Sequence, residues 1–336
     1  MARRPTIKEV SKLAGVSFKT VSRVLNNEKH VSAATRRRVE EAVARLNFRP
    51  SHAARTLAGR RSWSIGLLYD NPSPYYIYHI QHGAQRRCDE LGYRLLHQPC
   101  DSRAADFVSR VMALVDETYL DGLIISPPVT EAPGLIEALD ERGLPHVCIA
   151  PGPGAGAGRL VKIDDVAAAR EMAEHLLALG HRAIAFIEGP GHHVSSHQRL
   201  QGYRAAFEAA GIAWQPDLVA QGDYGFASGR EAARALLDRV GRPTAIFAGN
   251  DEMAAGALAV AHEMDIAVPG QLSIAGFDDS DLASAVWPPL TTIHQPVDDL
   301  AYAAADMLLG EPREVGCITL DHALIVRGST GPAPRS

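Results

Sequence analysis

The chain has 336 residues, of which 46% are hydrophobic and 22% are charged, so it can bury a large core in two or three domains. Its four cysteines, at 88, 100, 148 and 317, form no CxxC pair and suit reduced thiols. The N-terminus lacks the apolar run of a signal peptide, and no stretch approaches the roughly 20 apolar residues of a membrane helix. We therefore expect a soluble, cytoplasmic protein with no membrane partner.

The charge is unevenly divided along the chain. The net charge is −5, yet residues 1–62 contain 15 Lys and Arg against 4 Asp and Glu, whereas the remaining residues contain 19 against 35. A basic head on an acidic body is typical of a polyanion-binding module joined to a domain that avoids polyanions. On charge alone, nucleic-acid binding and a solvated basic face remain open alternatives.

The head begins with two short helical patterns joined by a turn. Thr6 and Glu9 have capping-box spacing, and apolar residues follow at helical spacing as far as Ala14. Gly15 supplies a tight turn, after which Ser17 can cap a second helix. Helix, short glycine turn and helix is the pattern of a helix-turn-helix motif.

The second helix presents candidate DNA contacts. Its apolar stripe of Val21, Val24 and Leu25 faces inward, which leaves a polar side able to reach base edges and phosphates. The residues on that side are Phe18, Lys19, Ser22, Arg23 and Asn26.

A third helix is predicted to begin after Ser32 as N-cap. Three arginines, 36–38, stand near its start, where cations oppose the helix dipole and a phosphate contact would offset the cost. The alternative interpretation of the whole head is a generic three-helix bundle with a solvated basic face. The inward-facing positions of this third helix are Val39, Ala42, Val43 and Leu46.

The head ends with the short basic segment "ARTLAGRRS" at 54–62. An isolated helix of about two turns is marginal in water because nucleation is costly, and Gly59 stands where the helix would end. Leu57 is its single large apolar side chain among arginines. We expect this segment to fold only against another surface.

From residue 63 onward, β-rich runs alternate with helical patterns. The runs are "SIGLLY", "YRLLHQ", "DGLIIS", "HVCIA", "AIAFIEG", "TAIFAGN" and "LSIAGF", with helices such as 79–92 and 164–180 between them. This rhythm predicts βαβ units and parallel sheets covered on both faces. The strands are too many for one unit, so we expect two α/β lobes with a ligand cleft at the carboxyl ends of the strands.

The head and the body together resemble the LacI/GalR family of bacterial repressors. The motifs "LAGVS", "TVSRVLN" and "VSAATRRRV" fall in the family's order and spacing, and the resemblance continues through nearly the whole chain. It implies an N-terminal helix-turn-helix headpiece at 1–50, a hinge helix and linker at 51–62, and an effector-binding and dimerisation core at 63–330. The core would resemble periplasmic sugar-binding proteins, with lobe 1 at about 63–162 and 295–322 and lobe 2 at about 163–292 and 323–330.

The resemblance also implies how the head contacts DNA. The leucine that matches Leu57 would insert into the minor groove at the operator centre, and unstacking by an inserted leucine kinks the duplex. The alternative is that Leu57 packs on the core surface. The expected DNA contacts are Ser17, Phe18, Lys19, Thr20, Ser22, Arg23, Asn26, His30, Ala53 and Leu57.

The same resemblance implies an effector pocket in the core. Arg, Asn and Asp groups can engage neighbouring hydroxyls in pairs and an aromatic ring can cover an apolar sugar face, so we expect a carbohydrate. Asn250 also has a generic interpretation as a helix N-cap. One ring of Tyr75, Tyr76 and Tyr78 is expected to reach the ligand; the sequence leaves the choice among them open, and Tyr75 stands for them among the site residues. The expected effector-binding residues are Asp70, Tyr75, Arg199, Tyr224, Asn250, Asp278 and Gln295.

Two other sequence features do not match a phosphate-binding loop or a zinc site. The glycine-rich run at 151–158 lacks the Gly-Lys-Ser/Thr ending of a phosphate loop, and the histidines at 192, 193 and 197 lack a recognised zinc spacing. We expect no metal, no cofactor and no enzyme activity. The interpretation is a homodimeric repressor that a small carbohydrate releases from a palindromic operator; the alternative is a sugar-binding carrier or sugar-acting enzyme with a basic N-terminal extension.

Overall fold

The computed structural model describes residues 5–25, 31–46, 48, 62–152, 158–310 and 316–334. The chain divides into two compact units, Met1–Trp63 and Ser64–Ser336. Positions 51–61 of the predicted hinge and positions 153–157 of the glycine-rich run lie outside the described residues. No described helix has the length and apolar character needed to cross a bilayer.

The first unit contains the predicted helix-turn-helix motif and a third helix. The Glu9 carboxylate accepts a hydrogen bond of 2.6 Å from the Thr6 backbone, and the Ser17 and Ser32 hydroxyls accept from Thr20 and Thr35, so three helix starts are capped as expected. Valines from all three helices form one core with Phe48. The helices are α1 (Ile7–Ala14), α2 (Phe18–Leu25) and α3 (Ala33–Arg45).

The second unit begins with an α/β lobe, here lobe 1. Strand interiors such as those of β1 and β3 are buried because helices cover both faces of the sheet. The elements are β1 (Ser64–Tyr69), α4 (Pro74–Leu91), β2 (Arg94–Pro99), α5 (Phe107–Thr118), β3 (Leu123–Ile125), a 3-10 turn (Val129–Glu131), α6 (Leu135–Arg142), β4 (His146–Ile149) and β5 (Arg159–Lys162).

Lobe 2 follows with the same alternation of strands and helices. Its short strands are bounded by helices whose small residues pack on the sheet. The elements are α7 (Asp165–Ala178), β6 (Ile184–Glu188), α8 (Val194–Ala209), a 3-10 turn (Pro216–Leu218), β7 (Val219–Gln221), α9 (Phe226–Leu237), β8 (Ala245–Ala248), α10 (Asp251–Glu263), β9 (Ser273–Ala275) and α11 (Asp281–Ala285).

The chain crosses between the lobes three times. It enters lobe 2 after β5, returns through β10 (Thr292–His294) to α12 (Val297–Leu309) and β11 (Cys317–Thr319), and crosses again into β12 (Ala323–Ile325). Strands β10 and β12 pair antiparallel, and we call this pair the crossover ribbon. Lobe 1 has the strand order β11-β5-β4-β3-β1-β2 and lobe 2 has β7-β6-β8-β9. All neighbours in both sheets are parallel, which confirms the predicted architecture.

Two details differ from the sequence-based expectation. Helix α4 begins at Pro74 with Ser73 as N-cap, five residues before the predicted start at 79, so the three tyrosines lie on a helix. The segment "QRLQGYRAAF" around Arg199 predicts a helix start, but α8 begins at Val194 and Arg199 lies in its second turn. In both cases the side-chain direction depends on the true first residue of the helix.

Each lobe contains a helix pair in very close contact. A Cβ added at Gly202 of α8 would collide with the backbone carbonyl of Val166 in α7, and one added at Gly83 of α4 would collide with the backbone of Asp298 in α12. Because a backbone atom cannot rotate away as a side chain can, any larger residue must separate the helices. The glycines therefore fix the distance between paired helices.

We expect Gly202→Ala to lower the free energy of unfolding of the core by about 1–3 kcal/mol, because the added methyl group forces α7 and α8 apart. The measurement is urea denaturation followed by tryptophan fluorescence and circular dichroism. Gly191→Ala is the matched control, since a Cβ there meets nothing within 4 Å. Equal stability of the two variants would contradict the packing argument.

Candidate functional site

The solvent-facing side of α2 carries the predicted DNA contacts that the structure describes. Val21 and Val24 are buried in the head, and Phe18 is 65% exposed. Ser17, Lys19 and Arg23 are exposed as well, and Thr20 and Ser22 are half-buried. This side presents hydroxyl groups, two cationic side chains and a ring on one surface, a combination suited to base edges and phosphates. The other predicted contacts, Asn26, His30, Ala53 and Leu57, lie outside the described residues.

A cavity lies between the two lobes of the core. Lobe 1 contributes the ends of β1, β3 and β4 and the start of α4. Lobe 2 contributes residues after β7, β8 and β9 and the start of α8, and one residue follows the crossover strand β10. The lining residues are Asn71, Ser73, Tyr76, Pro127, Ala150, His193, Ser195, Arg199, Tyr224, Asn250, Asp278 and Gln295. Five of the seven predicted effector residues are therefore brought together at one place.

The centre of this cavity is the buried guanidinium group of Arg199. Its Nε donates to Asp165 at 2.8 Å and its Nη1 donates to the Gly249 carbonyl at 2.6 Å. The guanidinium carbon lies 3.6 Å from the centroid of the Phe277 ring. Burial alone would lower the pKa of Arg199, but the negative charges of Asp165 and Asp278 outweigh it and raise the pKa. The group is therefore a permanent cation that is almost entirely buried.

Asp278 is the carboxyl group of the cavity that Arg199 does not fully neutralise. Its Oδ1 lies 3.8 Å from Arg199 Nη1, farther than Asp165, and accepts a hydrogen bond of 3.1 Å from Gln295 Nε2. No hydrogen bond reaches its Oδ2 within the described parts of the chain. Burial raises the pKa of Asp278 well above its ordinary value, with Arg199 opposing the shift. The Oδ2 atom of Asp278 is thus placed to hydrogen-bond with a bound ligand.

Asn250 has two structural bonds. Its Oδ1 accepts from the Met253 backbone at 3.0 Å as the N-cap of α10, and its Nδ2 donates to the Tyr224 carbonyl at 2.9 Å. The generic N-cap interpretation is therefore correct, and the residue lines the cavity as well. A carboxamide has two donor hydrogens and two acceptor lone pairs, so half of its capacity remains.

Rings close the cavity from both lobes. Tyr224 and His193 of lobe 2 are buried and meet edge to face at 5.2 Å, and Tyr76 of lobe 1 is buried opposite them. Burial lowers the pKa of His193 to about 3, helped by His192 and Arg199, so the imidazole is neutral near pH 7. A neutral imidazole can donate one hydrogen bond and accept another.

Left-handed backbone conformations are concentrated here. Tyr224, Asp278 and Ala150 all line the cavity and have φ values of 69°, 109° and 45°. Such angles cost of order 1–3 kcal/mol for residues other than glycine, and strained backbone of this kind is typical of ligand sites. These backbone conformations place the three residues on the cavity wall and lower the free energy of unfolding.

Two predicted effector residues do not line the cavity. The Asp70 carboxylate accepts from both the backbone and the hydroxyl of Ser102, at 2.8 and 2.7 Å, so it ties a loop after β2. The Tyr75 hydroxyl lies 3.4 Å from the Asp279 carbonyl, and the neighbouring Tyr76 lines the cavity instead. The choice of Tyr75 among the three rings is corrected in this respect, because one residue along a helix rotates a side chain by about 100°.

Sequence reasoning missed Asp165, which holds Arg199, and several lining residues of lobe 1. Asp165 directly follows "VKID" at the end of β5, so recognising that short strand would have placed it at a strand end beside Arg199. Ser73 and Pro74 are a strong helix-start signal that would have located Tyr76. Ser126–Pro127–Pro128 and Ala150 carry no chemical signal in the sequence.

The lobes are in contact around the cavity. The Ser73 hydroxyl donates to Glu252 Oε1 across the cleft at 2.6 Å while accepting from the Tyr76 backbone as the cap of α4. The space left for water inside is only about 30 Å³, room for about two water molecules. A larger ligand requires the lobes to move apart.

Comparison with known proteins adds independent evidence. The profile of a family described as bacterial regulatory proteins, lacI family, matches residues 6–51, and that of a periplasmic binding protein-like domain matches residues 173–330. The ribose operon repressor of Escherichia coli K12 is 35% identical over 306 residues, which covers 90% of this chain and 92% of the repressor.

Solved structures agree in fold along nearly the whole chain. A complex of the transcriptional regulator CelR with cellobiose is 32% identical and has a TM-score of 0.74, covering 97% of this chain and 100% of that one. The lac repressor dimer bound to operator and the anti-inducer ONPF is 31% identical and has a TM-score of 0.80, covering 98% and 100%. With its head, its two-lobed core and these relatives, the chain belongs to the LacI family of bacterial regulatory proteins.

Proposed function

We propose that this protein is a sequence-specific DNA-binding regulator of transcription, a repressor that a small neutral carbohydrate releases from a palindromic operator. The observation that carries the proposal is the lined cavity around Arg199 and Asp278, on the same chain as a helix-turn-helix head. A carrier or a sugar-acting enzyme would use the cavity alone and leave the polar side of α2 without a role. We therefore propose a regulator without catalytic activity.

The ligand assignment is supported by the mixture of groups in the cavity. Arg199 and His193 supply donors, Asp278 supplies an acceptor, and Asn250 and Gln295 supply both. Hydroxyl groups both donate and accept, so a hydroxylated ring matches this mixture, and the Tyr76 and Tyr224 rings suit its apolar faces. Ribose and cellobiose are named for relatives of this chain.

The DNA assignment is supported by the basic head and by the operator complex of the related lac repressor. We propose base contacts from α2, a hinge at 51–62 with Leu57 as a minor-groove wedge, and an effector core at 63–330. Since that relative is a dimer, we propose a two-fold dimer here, which matches a palindromic operator.

Ligand and DNA are coupled if they favour different arrangements of the lobes. The closed cavity has room for only about two water molecules. A sugar therefore binds an opened or rearranged core and shifts the population of molecules toward that arrangement. Coupling energies of this kind are typically about 1–3 kcal/mol and act equally in both directions. DNA is then expected to weaken sugar binding by the same factor.

We expect Arg23→Ala to weaken operator binding by about 1–3 kcal/mol and to relax specificity at one symmetric pair of base positions, because a bidentate base contact is lost. The operator is first obtained by selection from random DNA with the wild-type protein, and affinities are then measured by fluorescence anisotropy at fixed salt. Arg45→Ala, at an exposed position in the last turn of α3, is the control. A loss shared equally by operator and random DNA would count against base recognition by Arg23.

We expect Asp278→Asn to weaken binding of the carbohydrate at least tenfold, because an amide NH2 group replaces a carboxyl oxygen that can accept from ligand hydroxyls, and to leave operator affinity within a few-fold. Asparagine keeps the shape of the side chain and tolerates positive φ. The ligand is found by thermal-shift screening of sugars and purines, and its effect on operator binding is titrated for both proteins. Asp281→Asn, at an exposed position in α11, is the control. A variant that responds to ligand as the wild type does would place the effector elsewhere.

A further inference from the structure

A second and larger cavity lies beside the one around Arg199. It has a volume of about 290 Å³ and is lined by the loop before α5, the 3-10 turn of lobe 1 and the loop before α8. We call it the outer compartment, and the cavity around Arg199 the inner compartment. Its side chains include Arg103, Phe107, Pro128, Glu131, Pro133 and His192.

The two compartments are neighbours along the cleft. Pro127 lines the inner compartment and Pro128 the outer one, and His193 lines the inner compartment and His192 the outer one. The two histidine rings are only 4.7 Å apart. Pairs of consecutive residues from both lobes therefore form the boundary, and a ligand that opens the lobes can reach both sides.

The outer compartment contains polar groups whose bonding capacity is unused. Both carboxylate oxygens of Glu131 are shielded from solvent and have no hydrogen-bond partner of good geometry within the described parts of the chain, and the Val194 backbone and the Thr130 hydroxyl only partly oppose the effect of burial on the pKa of Glu131. Burial raises the pKa of Glu131 to about 7. An unsatisfied buried carboxyl is costly, so a donor supplied by a ligand would stabilise this site.

Arg103 and His192 supply the complementary donors at the rim. Both side chains are exposed, and within the described residues the Arg103 guanidinium has no ion pair. Burial and the nearby Arg103 lower the pKa of His192, so its ring is neutral near pH 7. Phe107 and the prolines add an apolar wall.

These groups favour a neutral hydroxylated ring over an anion. Arg103 is the one permanent cation among the lining residues, and the carboxyls of Glu131 and of the nearby Asp70 balance it. A phosphate or carboxylate would meet no excess of positive charge. Once the lobes open and Glu131 becomes accessible, a second sugar unit would donate to Glu131, accept from Arg103 and place an apolar face on the wall.

We propose that the outer compartment is a binding site for a second sugar unit, so that the effector is a neutral disaccharide with one ring in each compartment. This inference rests on the proposed carbohydrate effector. It specifies the size of the ligand and assigns Arg103 and Glu131 to its second ring.

The test is isothermal titration of the full-length protein with a panel of neutral hexose and pentose disaccharides and with their component monosaccharides. We expect a disaccharide to bind at least tenfold more tightly than either of its components. Arg103→Ala and Glu131→Gln are expected to reduce that affinity to the level of the monosaccharide while leaving monosaccharide binding within twofold. Asp278→Asn is expected to weaken both kinds of ligand.

The matched controls are Arg110→Ala and Glu137→Gln, which change exposed residues of α5 and α6 outside both compartments. Monosaccharides that bind as tightly as every disaccharide would overturn this inference and leave the proposed sugar effector standing. An advantage of the disaccharide that survives both outer-compartment substitutions would overturn the assignment of these residues. If no sugar in the panel binds, the proposed carbohydrate effector and this inference both fail.

Discussion

The burial of a single cation, Arg199, is the constraint on which the core depends. A charged group removed from water costs several kcal/mol unless partners replace its hydration. Here those partners come from separate segments: Asp165 after β5, Gly249 after β8, and Phe277 with Asp278 after β9. Because Asp165 begins α7 and the other partners follow β8 and β9, satisfying one charge holds the start of a helix against the carboxyl ends of two strands of lobe 2. Arg199 and Asp278 also line the cavity, so the segments that surround the buried cation also shape the cavity.

The two lobes are arranged for relative motion with little internal change. Glycines hold helix pairs of each lobe in backbone contact, and close-packed interiors resist gradual deformation. The chain passes between the lobes only three times among the residues described, and the crossover ribbon joins two of those passages. We therefore expect a change at the cavity to move one lobe against the other.

Much of this architecture could be predicted from the sequence, and the exceptions have physical causes. Strands such as β1 and β8 are continuous apolar runs because both faces are buried. Strands β7 and β11 have only three residues, largely at the surface, so their hydrophobic pattern is too short to detect. Asp278 and Asn250 could be expected in the cavity because they follow buried strands. Tyr76 rather than Tyr75 could not, because the choice depends on where α4 begins.

The hydrogen bond between Ser73 and Glu252 limits how fast a ligand can enter the cavity. This hydrogen bond joins the lobes across a cavity that holds about two water molecules, and it must break whenever the cavity opens. Ligand association then proceeds only through the fraction of molecules that are open, and the association rate constant falls below the diffusion limit by that fraction. Since the Ser73 hydroxyl also caps α4, breaking the bond leaves the helix start intact and the core ready to close again. A stronger bond between Ser73 and Glu252 would therefore slow association and weaken the apparent affinity by the same factor, since both depend on the open fraction.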